Sequence, residues 1–256
     1  SRMGRPEDYT RFLRNFQAMS VENEKPRQVD LRGVMVYPFS NPDKLIDFAD
    51  ERKGILVAIN AEKILNANEL TRSIINGNIG YCDGAGAVMA IRQKGAEADK
   101  IAGCELWLKI IGRFHSSRTF YIIGGKPDVN TATVEKLRRE YPGIRIVGHH
   151  HGYLGDTAER AALIDDVARV RPDFVFVAMG SPLQELLMAD MLSRHKAVYQ
   201  GLGGSFDVYT GRVPRAPRWW IEHNMEFAYR LVRQPKRITR NIKYVKFAWW
   251  LATRQF

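Results

Sequence analysis

Cysteine is scarce in this chain, which has only Cys82 and Cys104. They form no C-x-x-C pair and no disulfide framework, so a reducing, cytoplasmic setting is expected. Long apolar runs are missing too: none approaches the roughly 18 residues that a membrane-spanning helix requires. The polar start at Ser1-Arg2-Met3 is not expected to be a signal peptide. Neither nucleotide fingerprint is satisfied. There is no G-x-x-x-x-G-K-[ST], and Gly201-Leu202-Gly203-Gly204-Ser205-Phe206 lacks the third glycine of G-x-G-x-x-G. Both a P-loop NTPase and a dinucleotide-dependent dehydrogenase are therefore disfavoured. No period of about 20–50 residues recurs, which argues against a solenoid.

Acidic residues thin out toward the C-terminus. The formal net charge is +11, yet from Gly211 onward eleven basic residues face only Glu222 and Glu226, so the preceding 210 residues are close to neutral. A near-neutral body with a basic end points to an anionic partner there, whether a membrane surface, nucleic acid or a phosphorylated substrate. Nucleic acid is the weakest of these, because no binding motif accompanies the cations.

The pattern of apolar runs divides the chain into a polar arm (1–28), an α/β core (29–210) and a basic appendage (211–256). In the arm, Tyr9, Phe12, Leu13 and Phe16 have helical spacing. Leu31 to Phe39 reads as a first strand, and Asn41-Pro42-Asp43 as the start of a helix. Gly54 to Asn60 is a buried strand; Ala61 opens a helix carrying Ile64, Leu65, Leu70 and Ile74. A short strand ends at Asp83-Gly84, and the helix after it begins Ala85-Gly86-Ala87, small enough to admit a ligand or another backbone. A helix over 103–114, a strand over 119–123, a helix to about Tyr141, a strand over 144–147 and a helix over 159–170 follow. Phe174 to Met179 is apolar without interruption, as in a strand buried on both faces. After Gly180, Ser181-Pro182 with Gln184 reads as a helix start, with Ser181 at the N-cap and Gln184 closing a capping box. The last core strand is Ala197 to Leu202. This rhythm predicts a Rossmann-like parallel sheet with right-handed crossovers.

Strand ends in such a sheet converge on one edge, where ligands bind. Here they carry Asn60, Asp83-Gly84, Gly124-Gly125-Lys126, Gly180-Ser181-Pro182 with Gln184 and Glu185, and Gly203-Gly204 with Asp207. Glycine turns, one lysine and a helix N-terminus suit a nucleotide diphosphate; the same residues also serve as ordinary turns and caps. His149-His150-His151 is not expected to bind metal, because three adjacent residues on a strand cannot face one ion, and a polar loop is the better account. In the appendage, Ile238, Ile242, Val245 and Trp249 follow helical spacing, widened by Phe247, Trp250 and Leu251 and flanked by cations. That describes an interfacial helix, separable from a soluble core, or else a helix packed on the domain.

Taken together, several motifs resemble one family. They are Ala-Ile-Asn-Ala-Glu-Lys at 58–63, Asp83-Gly84, Gly124-Gly125-Lys126-Pro127, Gly180-Ser181-Pro182-Leu183-Gln184-Glu185 and Gly203-Gly204-x-Phe206-Asp207. Arg215-Ala216-Pro217, Glu226-Phe-Ala-Tyr229-Arg230-Leu and Gln234-Pro235-x-Arg237 continue the series. In this order they resemble the WecG/TagA/CpsF glycosyltransferases, carbohydrate-active family 26, from about Leu31 to the C-terminus. The resemblance implies the GT-E fold, a Rossmann-like core with a membrane-docking C-terminal appendage. It implies an inverting, metal-independent transfer of sugar from a UDP-sugar to a polyprenyl-diphosphate-linked saccharide at the cytoplasmic face of the bacterial inner membrane. No cofactor is implied, and a homo-oligomer is left open. Asp83 matches the family's proposed base; Arg215, Arg230 and Arg237 match arginines that complete the site. Asn60, Gly84, Gly124, Gly125, Lys126, Gly180, Ser181, Pro182, Gln184, Glu185, Gly204 and Asp207 are the expected substrate contacts. TagA-like members carry a threonine where this chain has Ala58. The wording is closer to WecG-like enzymes, whose donor is UDP-N-acetylmannosaminuronate, while GumM-type glucosyltransferases remain open. The competing reading is a nucleotide- or anionic-lipid-binding module that does no chemistry.

Overall fold

The computed structural model describes residues 26–214 and 242–256. The described chain begins with a hairpin, β1 (Val29–Leu31) and β2 (Val34–Val36), then α1 (Pro42–Arg52), β3 (Gly54–Ile59), α2 (Ala61–Leu65), α3 (Glu69–Asn76) and β4 (Ile79–Cys82). It continues through α4 (Ala85–Gln93), α5 (Gly103–Phe114), β5 (Thr119–Gly124), α6 (Pro127–Glu140), β6 (Arg145–His150) and α7 (Thr157–Val170). β7 (Phe174–Ala178), α8 (Leu183–Arg194), β8 (Val198–Gly201), α9 (Ser205–Tyr209) and the last helix, α10 (Ile242–Ala252), complete it. β3 to β8 form one six-stranded sheet, ordered β4-β3-β8-β7-β5-β6, and every pairing in it is parallel.

Alternation along the strands builds two cores, one on each face. Ile55, Val57, Ile59, Tyr121, Ile123, Val175 and Val177 meet α2, α3, α4, α7 and α8. Leu56, Phe120, Ile122, Phe174 and Phe176 meet α1, α5, α6 and α9. Side chains on successive strand residues point to opposite faces, so strands covered on both sides must be apolar throughout, which is why β3, β5 and β7 read as uninterrupted runs. Trp107 of α5 is fully buried and anchors the second core, with Phe176, Phe206 and Tyr209 at ring-centroid distances of 5.8, 5.6 and 5.1 Å.

Topology places the crevice. The chain leaves β5 through α6 toward β6, and leaves β7 through α8 in the opposite direction toward β8, with α6 and α8 on opposite faces. The adjacent carboxyl ends of β5 and β7 therefore flank a topological switch point, where open α/β sheets leave a crevice.

Several local expectations are corrected. Leu31 to Phe39 is not one strand of the sheet: Arg32 and Gly33, at φ 58° and 86°, turn the chain into the β1–β2 hairpin. The helix expected from Ala61 breaks in two, because Asn68 caps α3 through a reciprocal capping box with Thr71. β6 does not stop at Val147 but runs on to His150, so His149 and His150 are strand residues rather than a loop. As the edge strand, β6 alternates exposed and half-buried positions and accepts polar side chains.

Among the small residues opening α4, Gly86 makes room for protein. A Cβ on Gly86 would lie 2.8 Å from Phe247 of α10. Phe247 and Trp250 are buried in the first core, whereas Val245 and Trp249 are exposed. Around them, the Arg32 guanidinium lies 4.0 Å from the Trp250 ring centroid and donates to the Gln255 carbonyl, while Gln93 Nε2 donates to the Leu251 carbonyl. The final helix therefore packs on the domain, the second of the two expected arrangements. Phe247→Ala is expected to cost about 3 kcal/mol or more in urea unfolding, as for other buried aromatics. Trp249→Ala, at an exposed position on the same helix, is expected to stay within about 0.5 kcal/mol.

Candidate functional site

β4 delivers Asp83 to the carboxyl edge. Its backbone N–H donates to the Ile59 carbonyl, continuing the β3–β4 ladder by one step, and its Oδ1 accepts the Gly103 N–H at 2.7 Å. Gly103 is the first residue of α5, so a carboxylate sits at a helix N-terminus, where the macrodipole favours negative charge. Gly103 is held on three sides. Its carbonyl accepts from Gln200 Nε2 at 3.0 Å, and a Cβ there would lie 2.8 Å from Tyr81 Oη. Tyr81 and Gln200 are fully buried beneath. Burial first, and the Asp83 charge second, push the Tyr81 phenol well up and the Cys82 thiol up to about 12. Neither is then ionised at neutral pH.

The next two strand ends are joined by Gln184. Its side-chain oxygen accepts from Gly180 N at 3.2 Å and Gly203 N at 2.9 Å, tying the turn after β7 to the turn after β8. This corrects the expected cap: α8 starts at Leu183, Pro182 is its N-cap, and no side chain caps it. Gln184 turns inward because two glycine N–H groups lie within its reach, so it closes no box with Ser181. Its own N–H donates to the Gly180 carbonyl. Beside it, Glu185 is buried and pairs with Lys63 Nζ at 2.6 Å across 122 residues of chain. Lys63 was absent from the expected site; its spacing from Glu185 carries no local signal, and only the sheet order joins them.

The glycines after β5 answer a packing demand. A Cβ on Gly124 (φ 122°) would overlap the Ala178 backbone, and the Gly125 N–H donates to the Ala178 carbonyl at 3.1 Å. Asn130 of α6, also unforeseen, is buried behind them and donates through Nδ2 to the carbonyls of Gly124 and His150. Lys126, Ser181, Pro182 and Gly204 are exposed at the same edge. Asn60 caps α2 by accepting from Lys63 N, and a Cβ on Gly84 would rest on its side chain. The Asp207 carbonyl accepts from the N–H groups of Arg212 and Val213, and Arg212 pairs with Asp128 at 2.6 Å. The expected residues of the core thus share the carboxyl edge, several of them committed to internal partners. Arg215, Arg230 and Arg237 lie outside the described residues.

Because Gln184 satisfies two backbone donors, Gln184→Leu is expected to leave both unpaired and to cost about 2–4 kcal/mol in chemical denaturation. Gln184→Glu, which keeps an acceptor oxygen, is expected to lose less.

A profile of the glycosyl transferase WecG/TagA/CpsF family matches residues 34–256. The match spans β2 to the end of the chain, and so takes in the Asp83 cluster, the Gln184 bridge and the last helix. The chain belongs to the WecG/TagA/CpsF family of glycosyltransferases.

Proposed function

We propose that this glycosyltransferase moves a sugar, with inversion, from a UDP-sugar of the UDP-N-acetylmannosaminuronate or UDP-glucose type to a polyprenyl-diphosphate-linked saccharide. The observation that carries this reading is the seat of Asp83. It stands at the carboxyl end of β4, where it accepts the Gly103 N–H at the N-terminus of α5, in a chain of this family. The acceptor hydroxyl attacks the anomeric carbon as its proton passes to Asp83, and the bond from that carbon to the β-phosphate oxygen breaks, its electron pair leaving with UDP. The negative charge that grows on the diphosphate is met by cations and N–H groups. Lys126, exposed at the edge, and Arg215, Arg230 and Arg237 are the residues assigned to this task. Gln184 and Glu185, bonded inside the fold, shape the wall of the crevice; Ser181 and Gly204 are its exposed contacts.

Asp83→Asn keeps an oxygen for the Gly103 N–H and removes the base. Its kcat is expected to fall about 10²–10⁴-fold, with donor binding by calorimetry retained. Screening UDP-sugars against short polyprenyl-diphosphate acceptors supplies the assay. Near-normal turnover by Asp83→Asn would dismiss Asp83 as base, and nucleotide binding without turnover of any donor would favour a non-catalytic module.

The same reading places residues 211–256 against an anionic membrane surface. It is supported by the exposed Val245 and Trp249 on α10 with Lys246 between them. Among the described residues no helix is long and apolar enough to cross a membrane. Tryptophan and lysine together suit the headgroup boundary. Trp249→Ala combined with Lys246→Glu is expected to reduce co-sedimentation with phosphatidylglycerol vesicles severalfold without changing the unfolding midpoint. Unchanged co-sedimentation would remove α10 from the docking surface.

A further inference from the structure

The run His149-His150-His151 is a sequence feature that the transferase site does not absorb. Strand alternation sends His149 and His150 to opposite sides of β6. His149 Nδ1 meets Asn130 Oδ1 of α6 at 2.8 Å, whereas His150 turns to α7, where its Nε2 lies 3.5 Å from Glu159 Oε1. The strand ends at His150, so His151 is released from alternation, and the two rings come to rest 4.5 Å apart. One ligand atom from each of His150, His151 and Glu159 lies within 4.8 Å of the others. The objection that adjacent histidines cannot share an ion holds inside a strand and fails at its last residue.

We propose that His150, His151 and Glu159 form a binding site for one zinc-class divalent ion, structural in role and outside the transfer reaction. Three features prepare the ligands. His150 Nδ1 lies 2.7 Å from the His151 carbonyl, which can only accept, so Nδ1 carries a proton and Nε2, which faces Glu159, is the nitrogen left to bind an ion. Glu159 is anchored through its other oxygen, Oε2, by the Gly155 N–H at 2.5 Å, and through its backbone N–H by the N-cap Asp156. His151 Nδ1 is buried with no hydrogen-bond partner among the described residues, the condition of an imidazole whose partner is an ion or water. Two imidazoles and a carboxylate are a zinc donor set, and ligand atoms around a tetrahedral ion stand about 3.3–3.5 Å apart. The His150–Glu159 pair already has that separation; His151 closes the remainder by a shift of about 1 Å.

The ion would clip the end of β6 to the first turn of α7. Through Gly152 it would also steady the crevice. The Gly152 N–H donates to the Gly125 carbonyl at 2.8 Å, and a Cβ on Gly152 would lie 3.1 Å from Gly124 Cα. Rigidity conferred there reaches the turn after β5 without any metal contact to substrate.

The test uses the untagged full chain, stripped with a chelator that is then dialysed away, and titrated with Zn²⁺ by calorimetry and with Co²⁺ by visible absorption. One ion per chain is expected, with the d–d bands of tetrahedral Co²⁺ and a rise in Tm on adding Zn²⁺. Glu159→Gln retains an acceptor for Gly155 and removes the anionic ligand; it and His151→Ala are each expected to weaken Zn²⁺ affinity at least about tenfold. His115→Ala, on α5's C-cap, is expected to change nothing. Should His151→Ala fail to fold, Glu159→Gln decides the question alone. Absence of stoichiometric binding, or affinity unchanged in Glu159→Gln, would overturn the site and leave His150 and Glu159 a simple ion pair.

Discussion

Every strand of a parallel sheet ends at the same edge, and there the last carbonyls and N–H groups lose their ladder partners together. In this protein side chains take over that duty. Asn130 gathers the carbonyls of Gly124 and His150, Gln184 gathers the N–H groups of Gly180 and Gly203, and Gln200 and Asp83 hold the carbonyl and N–H of Gly103. The polar residues of the edge are framework before they are chemistry. A crevice lined by turns fixed in this way has its geometry set before substrate arrives, which is what electrostatic stabilisation of the proposed leaving group requires. Asp83 and Gln200 stand apart because the residue they hold, Gly103, opens a helix rather than ending a strand.

The fold was legible where burial leaves a one-dimensional trace. β3, β5 and β7 are apolar on both faces, and their runs announce them; α1 is announced by Asn41 and Pro42, which cap it as expected. What could not be read depended on contacts far apart in the chain. Gly86 signals a close approach, but nothing near it says that the visitor is Phe247. Ser181-Pro182 followed by Gln184 satisfies the rules for a helix cap, and the rule fails because Gly203, on the neighbouring strand end, competes for the same amide oxygen. The Lys63–Glu185 pair is invisible in the same way. Local grammar predicts local bonds; tertiary partners override it where a buried polar group finds a better one.

Edge strands explain the other errors. β6 is bounded on one side by β5 and on the other by solvent, so its sequence relaxes from Ile146 and Val147 into Gly148, His149 and His150 without ending the strand. Gly148, unpromising in a strand, lies under the Tyr121 ring, whose hydroxyl reaches Asp166 on α7. That ring restores the packing that the glycine gives up. The opposite edge strand, β4, is buried throughout, and Tyr37 bridges to it just past the β1–β2 hairpin. An exposed edge permits polar residues, and a covered edge forbids them, so strand composition records what lies beside the sheet.

The last helix has two faces that helical geometry separates. Phe247 and Trp250, three residues apart, enter the core, while Val245 and Trp249, four apart, face outward. Phe247 fits the notch at Gly86, the second residue of α4, and α4 starts directly after Asp83-Gly84. If α10 rests on a membrane, as proposed, then the surface that holds it and the carboxylate proposed as base are joined by one aromatic ring and one short turn. Such a link is rigid on the scale of packed side chains. An enzyme whose acceptor is anchored in lipid needs its base at a defined height above that lipid, and a packed aromatic fixes height in a way that a flexible tether does not.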